Sequence, residues 1–543
     1  MHVININDFF DFNNHEPVNR IAYTEEDAKY KLRCMKSMQD IGMEIYIDRV
    51  GNICGKFKGD YSNDKTLVIG SHTDSVTNGG QFDGPVGVYM ALKAAETFKS
   101  SCSKQYGNLS VAIYSCEEST RFHSACLGSY YLSGELPYDK LKDLKDSNGV
   151  TFEEAVSEYK GYIFSHLAEY GIDLNNIKLV DKIVSENEIS EAIESHIEQS
   201  QVLSDSNIDI GIIDSIGKPL RGSIYINGEN SIVTSAKVIS DLTDLAINSK
   251  FNNQEETLRI TVPQFDSISR NSNKKITFPK DGNLIKINAK GASNHSGATP
   301  MDKRKDSVLG LSKLVLKLDE LQKENPNLNF EFLGAVTEKW GTNQIQDDAN
   351  LLIRATPPVA TSIVNSFAED IEEESNVSFD ISNVSFAVVQ NNPFSELFVD
   401  VRQQYPATAE NTKETIYKTF KNIQEKNPDK TDSISFRISS QNTPVKTSPE
   451  LAENIKSICE AKKYSYKIMH SWPGHDLACV LCSSNKIGKI ILFFIPSEGG
   501  SHNPKEITYK EAVELGTDVY QTLVNQRMNK FKELYEKEQE EIR

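Results

Sequence analysis

Five short segments set acidic and imidazole side chains among turn residues. They are Gly70-Ser71-His72-Thr73-Asp74-Ser75, Gly79-Gly80-Gln81-Phe82-Asp83-Gly84-Pro85, Tyr114-Ser115-Cys116-Glu117-Glu118-Ser119, Glu194-Ser195-His196-Ile197-Glu198-Gln199 and Gly499-Gly500-Ser501-His502-Asn503-Pro504. Two or more imidazoles with carboxylates make a site for borderline divalent metals. A carboxylate has two oxygens and can bridge two metals, and two metals about 3.5–4 Å apart can activate a shared water. Taken singly, each piece is weak. H-x-D and Glu-Glu arise by chance in any long chain, and a lone His is more often a surface or core residue than a ligand. The order and context of all five carry the signal.

These segments need elements to hold them. Thr66 to Gly70 reads as a short apolar strand, and Asn108 precedes another from Leu109 to Tyr114. Between them Gly84 to Phe98 reads as a helix, with Pro85 in its first turn and Val88, Ala91, Leu92 and Ala95 along one face. Ile490 to Ile495, closed by Pro496, reads as a buried strand. This β-α-β rhythm predicts an α/β catalytic domain with a mostly parallel sheet flanked by helices. Ligands collect outside the carboxyl ends of such strands, where at least three of the five segments fall.

The strand at Ile490 belongs with the first half of the chain. The catalytic domain is therefore expected to be discontinuous, residues 1–216 and 441–543, with a second α+β domain inserted at 217–440. That insert reads as four β-α-β units. The first runs from Arg221–Gly228 through Val233–Ala246 to Leu258–Pro263. The second runs from Asn283–Ile287 through Asp306–Leu321 to Phe330–Val336. The third runs from Leu351–Ile353 through Ile363–Ile371 to Val377–Val388. The fourth runs from Glu396–Val401 through Thr412–Ile423 to Ile434–Ile438. Such units are cheap to find in any α/β chain, but four in a row predict an enlarged or duplicated domain. A charged helix from Arg527 to Arg543 reads as a solvated or partner-facing tail.

Composition narrows the function classes. The 543 residues hold 59 Lys+Arg against 77 Asp+Glu, a formal charge of −18. No strong basic tract exists, which argues against nucleic acid and against anionic membranes as partners. No run of about 18 apolar residues predicts a spanning helix, and the N-terminus lacks a basic and then apolar leader pattern. Of the eight cysteines only Cys479 and Cys482 form a C-x-x-C; without a second pair they read as small core residues. A reducing, cytoplasmic location is expected.

The ordered motifs resemble the metal-dependent amidohydrolases of the N-carbamoyl-L-amino-acid hydrolase and allantoate amidohydrolase type, the hydantoinase/carbamoylase family, related to aminoacylases and dimetal carboxypeptidases. The resemblance starts at Asn19-Arg20-Ile21-Ala22-Tyr23-Thr24 and Val50-Gly51-Asn52-Ile53. It takes in the His72, Asp83 and Glu117-Glu118 motifs, Leu127-Gly128-Ser129 and His196-Ile197-Glu198-Gln199. It resumes at Asn294-His295-Ser296-Gly297-Ala298-Thr299-Pro300-Met301 and closes with Asp400-Val401-Arg402, Gly474-His475-Asp476 and Ser501-His502-Asn503-Pro504.

The resemblance implies two divalent metal ions, zinc first, with manganese, cobalt or nickel as alternatives. His72, Asp83 and His196 would hold one, and Asp83, Glu118 and His502 the other. Asp74 would orient His72, and Glu117 would be the general base. In the insert, which in the family is a lid that also dimerises, His295 would stabilise the developing oxyanion and Arg402 would clamp a substrate carboxylate. Gln199 would contact the ureido or carboxylate end, and His475 and Asp476 would support the metals from behind. The implied activity is hydrolysis of a linear amide or ureido C–N bond in a small carboxylic acid. An N-carbamoyl-L-amino acid is the first expectation and allantoate the second; an aminoacylase or dipeptidase is the enzymatic runner-up. A homodimer through the lid is expected. A non-catalytic binding protein retaining the fold is the rival class, and the presence of all six metal and base residues argues against it.

The chain departs from the pattern in the lid. The insert is longer than the family's, Gln403 stands where a His commonly follows the Asp-x-Arg motif, and Asn350, Asn391 and Asn392 compete for the place of a substrate-binding Asn.

Overall fold

The apolar runs around the acidic segments are buried along their whole length, and such strands need cover on both faces. All seven residues of Thr66–His72 are buried, as are six of the seven in Asn108–Tyr114 and in Lys489–Ile495. The computed structural model describes residues 4–60, 65–101, 105–185, 188–228, 230–248, 258–266, 274–277, 283–337, 344–356, 360–384, 386–389, 394–403, 414, 416–418, 421–422, 425, 433–441, 444–480 and 489–542. Asn391, Asn392, Cys482 and half of the helix expected over Thr412–Ile423 lie outside the described residues.

The chain divides into two units, Met1–Ile216 with Val445–Arg543, and Gly217–Pro444. In the first, seven strands are named in chain order: β1 (Glu44–Ile47), β2 (Ile53–Phe57), β3 (Thr66–His72), β4 (Asn108–Tyr114), β5 (Ile177–Leu179), β6 (Ile189–Ile197) and β7 (Ile210–Ile216). The sheet order is Val445–Lys446, β7, Lys489–Ile495, β6, β3, β4, β2, β1, β5, with Tyr466–Ser471 also on β7. The central four strands, Lys489–Ile495, β6, β3 and β4, are parallel; β2 enters antiparallel to both β4 and β1. Helix Pro85–Ser101 packs on β3, β6 and β4 and against helix Lys510–Ile542. Cys479 is buried in helix Asp476–Val480, as a small core residue.

One expectation is corrected. The charged stretch from Arg527 is not a free tail but the end of helix Lys510–Ile542. Val519, Tyr520, Leu523, Val524, Met528 and Phe531 lie in the core. Arg527 is 4% exposed and grips Glu191 through Nε at 2.8 Å and Nη2 at 2.6 Å. A long amphipathic face, not net charge, decides where this helix sits; beyond Phe531 all described side chains through Glu541 except Tyr535 are exposed.

The second unit is an eight-stranded antiparallel sheet. Its order is Ser378–Val384, Asn283–Lys290, Asp348–Thr356, Asn329–Val336, Leu258–Asp266, Phe394–Gln403, Leu220–Asn227, Ser433–Gln441. Number the strands within each half by chain position. The outer half, from residues 220 to 266 and 394 to 441, then runs 2-3-1-4, and the nested half, 283 to 384, runs 4-1-3-2. The sheet is a palindrome of one β-α-β-β-α-β pattern. Helices Ser231–Asn248, Ser307–Glu324 and Ala360–Ser375 cover it, and one apolar cluster spans both halves.

Candidate active site

His72 closes β3, and His196 lies one residue before the end of β6. The parallel register sets Gly70 opposite Glu194, so two residues on the imidazoles arrive side by side at the carboxyl edge. Their Nε2 atoms are 3.5 Å apart. His72 Nδ1 lies 3.1 Å from the Asp74 carbonyl and His196 Nδ1 2.9 Å from that of Ile197. A carbonyl only accepts, so both Nδ1 atoms carry a proton, and in the neutral form of each ring the Nε2 lone pair is aimed at one shared place.

Asp83 sits there. It precedes helix Pro85–Ser101, and Gly84 turns the chain at φ +86°, where a Cβ would stand 2.5 Å from the His72 ring. Asp83 Oδ1 is 3.1 Å from His196 Nε2 and 3.8 Å from His72 Nε2. Oδ2 is 3.7 Å from His502 Nε2, whose ring is 3.1 Å from Glu118 Oε1. His502 is delivered by a tight turn in which Gly499, Gly500 and His502 all have positive φ. Two ligand-type groups result, His72/Asp83/His196 and Asp83/Glu118/His502, sharing Asp83; within each, the donor atoms lie within 4.8 Å of one another. Glu118 Oε2 is buried without a hydrogen bond. Converging lone pairs and an unsatisfied buried carboxylate oxygen are the pattern that a cation resolves, so the residues fit a pair of metal ions.

The surroundings hold these groups in place. Asp74 is fully buried and receives the backbone N–H groups of Glu117 at 3.2 Å and Glu118 at 2.9 Å. Its carboxylate therefore shapes the Glu-Glu turn, and what His72 Nδ1 bonds is the Asp74 backbone carbonyl. Glu117 Oε2 reaches to 3.9 Å from His72 Nε2, and Cys126 donates its thiol to Oε1 at 3.4 Å. Burial, reinforced by Glu118 and Asp476, holds the Glu117 carboxyl well above the usual range. Burial and the neighbouring His196 push His72 down to about 3. For His196 burial pulls the other way, but Asp83 and Glu194 outweigh it and hold the imidazole up at about 9. His475 packs edge-on against His196 at 4.7 Å between centroids, and Asp476 accepts from Ser129 at 2.6 Å. Gln199 points its amide at the ligand carboxylate, donating to Asp83 Oδ2 at 2.8 Å.

Three supporting groups escaped the sequence reading. Glu506 Oε1 receives the N–H groups of Phe82 at 2.9 Å and Asp83 at 3.0 Å. Glu194 accepts from Ser71 at 2.8 Å and from the N–H of Leu477 at 3.1 Å; its place two residues before His196, on the same strand face, was the available signal. Lys31, fully buried, bonds Asp27 at 3.1 Å and Ser115 at 2.8 Å, and Thr73 donates to Asp27 at 2.9 Å.

In the second unit His295 is 4% exposed. Its Nδ1 accepts the N–H groups of Gly297 and Ala298, both at 3.0 Å, which leaves the ring proton on Nε2 as a donor. Arg402 bonds Asp400 through Nε at 2.6 Å and Nη2 at 3.2 Å, and Arg221 bonds the same carboxylate at 2.8 Å. Burial raises Asp400, but Arg402 and Arg221 outweigh it and hold the carboxyl below its usual value. Asn350 pairs with Asp348 at 2.9 Å and Asn288 at 3.1 Å.

Several known proteins are similar to this chain. An uncharacterized hydrolase of Haemophilus influenzae is 24% identical over 509 residues, covering 93% of this chain and 92% of its own. An N-carbamoyl-L-amino-acid amidohydrolase of Pseudomonas sp. is 23% identical with the same coverage. An allantoate amidohydrolase of Bacillus subtilis is 32% identical over 212 residues, 39% of this chain and 48% of its own. The fold matches a crystal structure of a hydantoinase/carbamoylase family amidase from Burkholderia multivorans, with a TM-score of 0.54 at 18% identity over 95% of this chain and 93% of that one. Residues 68–526, most of the chain, match the family described as peptidase family M20/M25/M40, and the chain belongs to that family.

Proposed function

We propose that the protein is a two-metal hydrolase of linear amide or ureido C–N bonds, acting first on an N-carbamoyl-L-amino acid and second on allantoate. The observation that carries this reading is the pair of ligand groups sharing Asp83, with Glu117 beside them. Two divalent ions held there would make a bound water acidic enough to lose a proton near neutral pH. Glu117, beside these residues, would take that proton and pass it to the leaving nitrogen. Gln199 donates to Asp83 and so helps to orient the carboxylate that would be shared by the two ions. His295, with its ring proton on Nε2, would offer a hydrogen-bond donor to a substrate oxygen, and Arg402 a guanidinium to a substrate carboxylate. From a carbamoyl substrate, the carbamoyl nitrogen leaves as ammonia, and carbon dioxide follows.

Amidohydrolases named for carbamoyl amino acids and for allantoate among the relatives support the substrate class. The test is turnover of N-carbamoyl-L-amino acids, allantoate and N-acyl amino acids by protein loaded with zinc, manganese or cobalt. Ammonia release from a carbamoyl substrate, lost in Glu117→Gln, is expected. Full turnover by Glu117→Gln would remove the general-base assignment, and exclusive turnover of acyl amino acids would move the protein to the aminoacylases.

A further inference from the structure

The palindromic sheet of the second unit has an internal two-fold pattern. The second strands of its two halves meet antiparallel, Val336 opposite Asp266, and the Thr337 N–H donates to the Phe265 carbonyl at 3.1 Å. The first helices of the halves, Ser231–Asn248 and Ser307–Glu324, are both 18 residues long and pack on each other. Each also contacts the second strand of the other half. Equivalent strands paired antiparallel, with equivalent helices crossing over, are what a two-fold axis makes between identical subunits.

The halves are no longer equivalent in chemistry. After its first strand the nested half carries Asn294-His295-Ser296-Gly297, whereas the outer half runs from Asn227 into a helix at Ser231. At the third strand the outer half carries Asp400-Val401-Arg402, with Arg402 opposite Arg259. The nested half has Leu352-Ile353-Arg354 there, with Arg354 opposite Glu331 and bonded to it at 2.6 Å. The imidazole thus survives in one half and the paired arginines in the other. The junction joins them. Arg259 of the outer half donates to the carbonyls of Gly297 at 2.5 Å and Ala298 at 2.8 Å, in the His295 loop. Arg304 of the nested half returns bonds to Ile260 and Thr261, both at 2.8 Å.

We propose that the nested half occupies the place of a second subunit, so that one chain assembles its own set for a small carboxylate substrate: Arg402 from the outer half and His295 from the nested half. The working unit is then a single chain and not the homodimer expected from the resemblance. The proposal rests on reading His295 and Arg402 as substrate contacts.

Two measurements on the full-length, metal-loaded protein test it. Sedimentation velocity across the assay concentrations is expected to give a single-chain species with specific activity unchanged by dilution; a stable two-chain species overturns the proposal. His295→Ala and Arg402→Ala, co-expressed with different tags, are expected to show no more turnover than the two variants apart; restored turnover overturns it. If either variant melts below the parent protein, His295→Gln and Arg402→Lys replace them. If both variants keep full turnover, the substrate-contact reading fails, and sedimentation alone then judges whether one chain is the working unit.

Discussion

Glu506 accepts the backbone N–H of Asp83 at 3.0 Å, although 423 residues separate them. The same oxygen takes the N–H of Phe82, and a Cβ on Gly80 would stand 2.2 Å from the Glu506 carboxyl. One side chain from the last quarter of the chain therefore seats the loop that presents the shared carboxylate. What it contributes is an acceptor, since both bonds end on a single oxygen. Glu506→Gln keeps that oxygen, and Glu506→Ala removes it. We expect Ala to weaken metal binding by about 10–100-fold, the usual cost of losing such a support, and Gln to weaken it much less. Equal loss in both, by titration against a metal-sensitive dye, would show that the charge matters and the hydrogen bonds do not.

The two ligand groups overlap only at Asp83, so their losses should differ in count. His502→Ala removes a donor from the Glu118 group alone and should leave about one metal per chain. Asp83→Ala removes a donor from both and should leave almost none, by elemental analysis after desalting. One remaining metal in Asp83→Ala would show that His72 and His196 suffice without the bridge.

Much of this site was readable because His72, Glu118 and His196 lie at or just past the ends of strands and Asp83 lies just before a helix. β3, β4 and β6 then bring His72, Glu117-Glu118 and His196 to one edge by parallel register alone. The supports were not readable for the opposite reason. Glu506 and Lys31 act on backbone groups or side chains far away in sequence, and no local pattern marks a buried acceptor. The four β-α-β units of the insert were visible as hydrophobic periodicity. Their nesting was not, because the pairing of Leu258–Asp266 with Phe394–Gln403 is decided by contacts across the whole nested half. The expected tail held only beyond Phe531: counting charges from Arg527 missed the apolar stripe that buries Met528 and Phe531.

Gly84 is a point where backbone and site chemistry meet. Its φ of +86° is one that L side chains rarely adopt, and its missing Cβ leaves room for the His72 ring. Gly84→Ala should therefore lower the melting temperature and lose metal together, because the chain must move either Asp83 or His72. A variant that melts lower yet keeps both metals would mean that the loop relaxes away from the site.

Asp48 gives a pH dependence remote from the ligands. It is fully buried and accepts the N–H groups of Val50 at 3.1 Å and Asn52 at 2.9 Å and the Asn52 amide at 2.8 Å. Burial outweighs those bonds and pushes its carboxyl up to about 7. The folded chain then keeps a proton that the unfolded chain has lost, so stability falls as pH rises from about 4 to about 7, by at most about 1.4 kcal/mol per unit. Urea unfolding of the parent and of Asp48→Asn should show their difference moving in favour of Asn across that window. A difference that stays flat would place the Asp48 carboxyl in its ordinary range.

Lys31 and Asp27 form a buried ion pair beneath the Thr73 and Ser115 segments, both side chains fully buried. Breaking such a pair strands the remaining charge and costs about 3–5 kcal/mol, whereas removing both partners costs far less. Lys31→Met should therefore destabilise strongly, leaving Asp27, among the described residues, with donors from Thr73 and the Tyr23 N–H. The double variant Lys31→Met with Asp27→Asn should recover much of the loss. Because Lys31 also bonds Ser115, which leads into Glu117-Glu118, the double variant should regain stability before it regains turnover. Parallel recovery of unfolding midpoint and kcat would show that the pair acts on the site only through global stability.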